Sequence, residues 1–150
     1  MKGKGGRHVK SLKNNLKSCK GAAMVEFAIV LPLLLTLIFG IIEFGLLLYN
    51  KAVITNASRE GARAGIVFSD YTNPISVAQA QAAVTKYIGD HLISFGSSAP
   101  SVQITGTCAS AGTDFTVKVG YDYTFLVVPN FVATLGKSIH LEGETVMRCE

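Results

Sequence analysis

From Ala22 to Leu48 the chain reads AAMVEFAIVLPLLLTLIFGIIEFGLLL, and only Glu26 and Glu43 in it carry charge. Phe27–Ile42 is uncharged throughout. A helix needs about 20 apolar residues to cross a hydrocarbon layer ~30 Å thick. A core helix of a soluble protein would show a polar face at helical spacing, and this stretch has none. The pattern therefore predicts a transmembrane helix over residues 22–48. Asn50–Ile66 contains no proline, and the helix is expected to continue out of the bilayer over 49–68.

Beyond residue 68 no apolar run is long enough to span again, so 69–150 reads as a domain outside the membrane. Asp70–Pro74 predicts a turn with Pro74 near the start of a helix. Val77, Ala80, Val84, Tyr87, Ile88, His91, Leu92 and Phe95 then fall at three- and four-residue spacing, predicting an amphipathic helix to about residue 95. His91 on that stripe reads as a core or interface side chain rather than a ligand. Alternation of apolar and polar residues predicts strands at Val102–Thr105, Phe115–Thr124 and Ile139–Arg148. Phe115, Val117, Val119, Tyr121 and Tyr123 share one face of the middle strand. Phe125–Leu135, with Pro129 and Asn130 inside it, reads as an irregular crossover covering the sheet. The expected fold class is α+β: a long membrane helix running into an extracytoplasmic domain with a second helix and a small antiparallel sheet.

Charge sharpens the topology. The 150 residues carry a net +4, but residues 1–21 hold seven of the 14 Lys and Arg and none of the ten acids. Residues 22–150 are thus net −3, which removes the nucleic-acid reading that a basic protein invites. Cations ahead of the span outnumber Lys51, Arg59 and Arg63 after it, so the positive-inside bias places the N-terminus in the cytoplasm. The first 21 residues have no apolar periodicity and read either as a disordered cationic tail or as a leader held back by its charge. The apolar stretch is too long for a secretory h-region, and no A-x-A-like site follows it.

Two acids within an apolar helix call for a reason, because each is expensive unless paired or wet. Glu26 lies five residues past Gly21 and is followed by Phe27. One reading leaves Glu26 at headgroup level, favourable near a helix N-terminus. In the other, cleavage between Gly21 and Ala22 creates an ammonium that Glu26 of a neighbouring subunit pairs with. For Glu43, near the far interface, the readings are snorkelling to water or contact with a partner's membrane helix. Pro32 removes one helical hydrogen bond, which membrane helices tolerate.

A basic leader, Gly, four residues, Glu, an aromatic and a long apolar helix together resemble the type IV prepilin pattern. The resemblance narrows over VEFAIVLPLLLTLIFGIIEFGLLLYNKAVITNASREGARAGI, which is similar to the TadE-like family of the tight-adherence pilus system. It rests on Glu26-Phe27, Pro32, Glu43-Phe44-Gly45 and the run Ala57–Gly65, and covers about residues 18–68. This resemblance implies a pilin-like fold and a minor pilin, or pseudopilin, cut by a prepilin peptidase. The implied partners are other pilins, inner-membrane assembly proteins and the lipid bilayer. The implied roles are in a type IVb pilus, adhesion, biofilm formation and secretion. The sizeable C-terminal region argues against the bulk filament subunit, since major pilins of that system are very short.

Ala57, Gly61 and Gly65 recur at four-residue spacing, either as a face for close backbone approach or as the mark of a frayed helix end. Glu60 and Arg63 are placed to pair on the solvated side. Cys19 falls in the leader, leaving Cys108 and Cys149 as the pair available for a disulfide in an oxidising compartment, with two free thiols as the alternative. No Cys/His cluster suggests a metal, no phosphate loop suggests a cofactor, and His8, His91 and His140 are scattered. The expectation is a structural protein, not an enzyme. Three classes remain open: a minor pilin entering a filament, an uncut anchored protein with an outer binding domain, and an accessory factor that stays in the membrane.

Overall fold

The computed structural model describes residues 8–66, 75–95, 98–126 and 138–149, with side chains from 21 onward in the first stretch and from 77 in the second. Helix α1 runs His8–Ile66 and α2 Ile75–His91; strands β1 Ser101–Thr105, β2 Asp114–Thr124 and β3 Ser138–Arg148 follow. The expected turn at Asp70–Pro74 and the crossover from Val127 to Leu135 lie outside the described residues. The α+β class and the three strands agree with the sequence reading. The chain divides into two compact units, Met1–Ile41 and Ile42–Glu150.

The first unit is helix. Met24, Ile29 and Leu33 are each more than 70% exposed, and apart from half-buried Leu31 the large apolar side chains up to Ile41 are exposed too. Among the described residues, Gly21–Ile66 contains the one helical stretch long and apolar enough to cross a membrane. Apolar exposure on this scale around a whole helix fits hydrocarbon, not water. Helix also covers residues 8–20, where the sequence, lacking apolar periodicity, reads as a disordered cationic tail or a charged leader. Extending a nucleated helix costs little, and Leu12, Lys13, Leu16 and Lys17 are good helix formers. Pro32 is inside α1, and the Thr36 hydroxyl donates to its carbonyl at 2.8 Å.

In the second unit the strands pair antiparallel in the order β1-β2-β3. Phe115, Val117, Val119, Tyr121 and Tyr123 are buried on one face of β2, as their alternation requires. The end of α1 and the buried stripe of α2, Ala80, Val84 and Ile88, pack into the same core. Residues at both ends of this α1 segment show its course. Glu43 meets Tyr123, and Gly65 meets Phe115, so α1 runs along the sheet opposite in direction to β2.

Glycine makes that approach possible. A Cβ on Gly65 would overlap the Phe115 ring, and one on Gly61 would overlap Val84 and stand 3.3 Å from the Ala80 carbonyl. From the other side, a Cβ on Gly143 would lie 3.0 Å from the Ile54 carbonyl oxygen. Helix and sheet therefore touch nearly backbone to backbone. Cys108 and Cys149 form a disulfide with Cα atoms 5.5 Å apart, tying the loop after β1 to the end of β3. Closing a loop of 41 residues is worth ~3–4 kcal/mol in the chain-entropy account.

Helix α2 ends at His91, short of the expected residue 95. The Leu92 amide still bonds the Ile88 carbonyl at 2.8 Å, but the Ile93 amide turns to the Asn50 side chain. A tertiary acceptor thus outcompetes the next helical one. His91 is exposed, not buried; its ring stacks on Tyr87 at 4.4 Å.

Gly65→Ala is expected to destabilise the packed unit by about 1–3 kcal/mol through overpacking. Gly89→Ala, in α2 with open space around it, should stabilise by up to about 1 kcal/mol. Denaturant midpoints of the detergent-solubilised protein check both, and equal shifts would remove the close-approach argument.

Candidate functional site

Two regions of α1 carry the candidate functional residues. In the first unit Gly21, Ala22, Glu26 and Phe27 are all exposed on the helix. Nothing lies within 4 Å of where a Gly21 side chain would be. Ala22 and Glu26 are four residues apart, so they share one face, one turn from each other. The Gly21–Ala22 peptide is within α1, so a protease acting there must unwind a turn.

In the second unit α1 docks through a stripe that the sequence disclosed only in part. Ala57, Gly61 and Gly65 are buried on it, and what approaches them is this chain's own α2 and sheet. The same face carries three buried polar residues, Glu43, Asn50 and Ser58. Ser58 bonds the Thr145 hydroxyl of β3 at 2.8 Å. Asn50 grips both backbone groups of Ile93, donating to its carbonyl at 2.7 Å and accepting from its amide at 3.2 Å. Lys51 donates to the Glu142 carbonyl. A buried side-chain amide holding one residue's donor and acceptor at once has both its polar atoms paired, the condition under which such groups stabilise.

Glu43 corrects a sequence expectation. It neither snorkels to water nor faces a partner's helix here; it is 3% exposed. One of its carboxylate oxygens accepts the Tyr123 hydroxyl at 2.9 Å and the Leu126 amide at 2.8 Å. Burial, then the bond to Glu43, pushes the Tyr123 phenol well above its ordinary value; burial also raises Tyr121. The signal available in the sequence was spacing. Glu43, Asn50, Ala57, Gly61 and Gly65 recur at intervals of seven and four, all on one helical face.

Elsewhere the polar groups are solvated. Glu60 and Arg63 pair at 2.8 Å as expected, which lowers the Glu60 carboxyl. On the outer face of the sheet Lys118 meets Glu142 at 2.9 Å and His140 meets Asp122 at 2.7 Å. A shallow cleft of about 400 Å³ is lined by Glu60, Ala83, Lys86, Tyr87 and Asp90. Among the described residues no cluster of His, Cys, Asp and Glu is arranged to hold a metal.

The stretch that combines the exposed apolar helix with the docking stripe is also the stretch with known relatives. Residues 21–63 match the family described as TadE-like protein. The chain carries a TadE-like segment. It opens at Gly21 and closes two residues before Gly65, so it takes in Glu26, Glu43, Asn50, Ala57 and Gly61. Helix α2 and the sheet lie outside the TadE-like match. Comparison with curated proteins and with solved structures found no match.

The Glu43 pair sets a stability expectation. Glu43→Leu removes the acceptor of two buried donors and should cost about 1–3 kcal/mol. A phenol whose folded value is raised supports the fold in full below its ordinary value of about 10, and that support fades as pH climbs beyond it. Alkaline titration of the folded protein should therefore show a loss of stability starting near pH 10, shallower in Tyr123→Phe. An unchanged slope in that variant would remove Tyr123 from the account.

Proposed function

We propose that this protein is a minor pilin, or pseudopilin, of a tight-adherence type IVb pilus. In this reading a prepilin peptidase cuts it after Gly21, and the mature chain takes part in pilus assembly, and so in adhesion, biofilm formation or secretion. The observation that carries the reading is the TadE-like match over residues 21–63, which takes in the exposed apolar stretch of α1. The basic residues ahead of the span support a single pass of the bacterial inner membrane, with the N-terminus cytoplasmic and the packed unit outside.

Mechanism follows from the cost of charge in hydrocarbon. Removal of the leader takes seven cations from the N-terminus and leaves an ammonium on Ala22. Glu26 of a neighbouring subunit is the natural counter-charge, since a carboxylate buried among apolar helices is expensive alone and tolerable when paired. Phe27 and the exposed apolar side chains beside it supply the packing surface. An uncut, membrane-anchored envelope protein is the competing outcome of the same experiment.

Intact mass and the N-terminal peptide of the membrane-extracted protein test the cut. The expected mature chain begins at Ala22, and Gly21→Ala should leave a precursor longer by the 21 residues of the leader. Retention of the leader in cells with an active prepilin peptidase would overturn the pilin reading. Glu26→Ala should be cut normally yet yield fewer fibres in the sheared fraction.

A further inference from the structure

Two of the buried polar residues on α1 do more than fill a stripe. Glu43 and Asn50 are seven residues apart, two turns on one face, and each fixes the backbone of a different loop. Glu43 holds the Leu126 amide at 2.8 Å, just past the end of β2. Asn50 holds both backbone groups of Ile93, just past the end of α2. The Tyr49 hydroxyl adds a bond to the His91 carbonyl at 3.0 Å. Both loops are thereby pinned beside residues 43–50, where the apolar run of α1 ends.

The side chains these loops present are apolar and outward. Leu126 is 54% exposed, Phe95 43% and Ile93 38%. Beside them on α1 stand exposed Phe44, Leu48 and Tyr49. The far end of the same unit is different, with exposed Arg59, Arg63, Asp114 and Arg148. Apart from Val146 (55% exposed) and Ile139 (41%) on β3, the exposed large apolar side chains of the packed unit stand on or beside residues 42–50 of α1, where the lipophilic run stops. Aromatic and aliphatic side chains at such a boundary, with the Tyr49 hydroxyl at its polar edge, match the composition of a membrane–water interface.

We infer that Ile93, Phe95 and Leu126 form a collar that seats the packed unit on the lipid bilayer, with Glu43 and Asn50 as the clamps that aim it. The collar rests on the reading of α1 as a membrane span. It adds that the outer unit itself enters the interfacial zone, so the outer bilayer boundary falls at residues 43–50. Glu43 then serves at that boundary without exposing its carboxylate to lipid.

The test uses the full chain with Cys19→Ser, reconstituted in vesicles of phosphatidylethanolamine and phosphatidylglycerol. Single cysteines replace Phe95, Leu126, Phe39 or Arg63 and carry an environment-sensitive fluorophore; nitroxide lipids report depth. Labels at 95 and 126 should shift to the blue and lose emission to nitroxides near the headgroups. The label at 39 should lose it to deep nitroxides. Position 63, 13 residues or about 20 Å along α1 from Asn50, should show neither effect. Deep quenching at 39 with none at 95 and 126 would overturn the collar and leave the span standing. No quenching at 39 would overturn both. A blue shift at 95 without lipid quenching would assign the surface to a protein neighbour and overturn the lipid assignment.

Discussion

A single helix meeting two solvents is the constraint on which this protein is organised. From Gly21 to Ile41 the side chains of α1 are apolar apart from Glu26 and Thr36 and nearly all exposed, which fits hydrocarbon. From Lys51 onward the same helix has two faces, one buried against α2 and the sheet, the other carrying exposed Lys51, Asn56, Arg59 and Arg63. The change occurs without a break in the helix. The glycines at 61, 65 and 143 follow from that arrangement. A helix that must serve as the spine of a small core buries more when its backbone comes close to the sheet, and any Cβ at these sites intrudes on the approach.

Polar groups do the positioning. A packed unit with a three-stranded sheet has a small core, and a small core gains proportionately from each fully used buried hydrogen bond and from cross-linking. Glu43, Asn50 and Ser58 each connect α1 to a different part of the chain: the end of β2, the end of α2 and the middle of β3. The disulfide closes the opposite end, away from the clamps. Hydrophobic burial drives the collapse, while these directional contacts choose the register in which the helix lies on the sheet.

This division of labour bears on the assembly reading. The TadE-like match stops at residue 63, so the shared feature is the helix with its span and docking stripe, and α2 and the sheet lie beyond it. A helix is the part that can pack against other subunits within a membrane or a fibre, whereas the sheet presents a solvated ladder of charges, Lys118, Glu142, Asp122 and His140.

Periodicity alone determined much of the fold. The uncharged run of 27–42 determined an exposed apolar helix, because no other element satisfies its backbone in lipid. Alternation in 115–123 determined which face of β2 is buried, because strand side chains must alternate. Cys108 and Cys149, the two cysteines beyond residue 21, were the pair the sequence offered, and they are bonded. Tertiary structure decided what depended on which surfaces meet. Glu43, read as a wet or partner-facing acid, is buried because Tyr123 and Leu126, some 80 residues away, deliver donors to it. Helix α2 stops at His91 because Asn50 captures the next amide. The spacing of Gly61 and Gly65 announced a close approach, but only the packed chain decided that Val84 and Phe115 are what approach. Local pattern specifies what each segment can bury; the identity of its partner is a long-range property that no window of sequence contains.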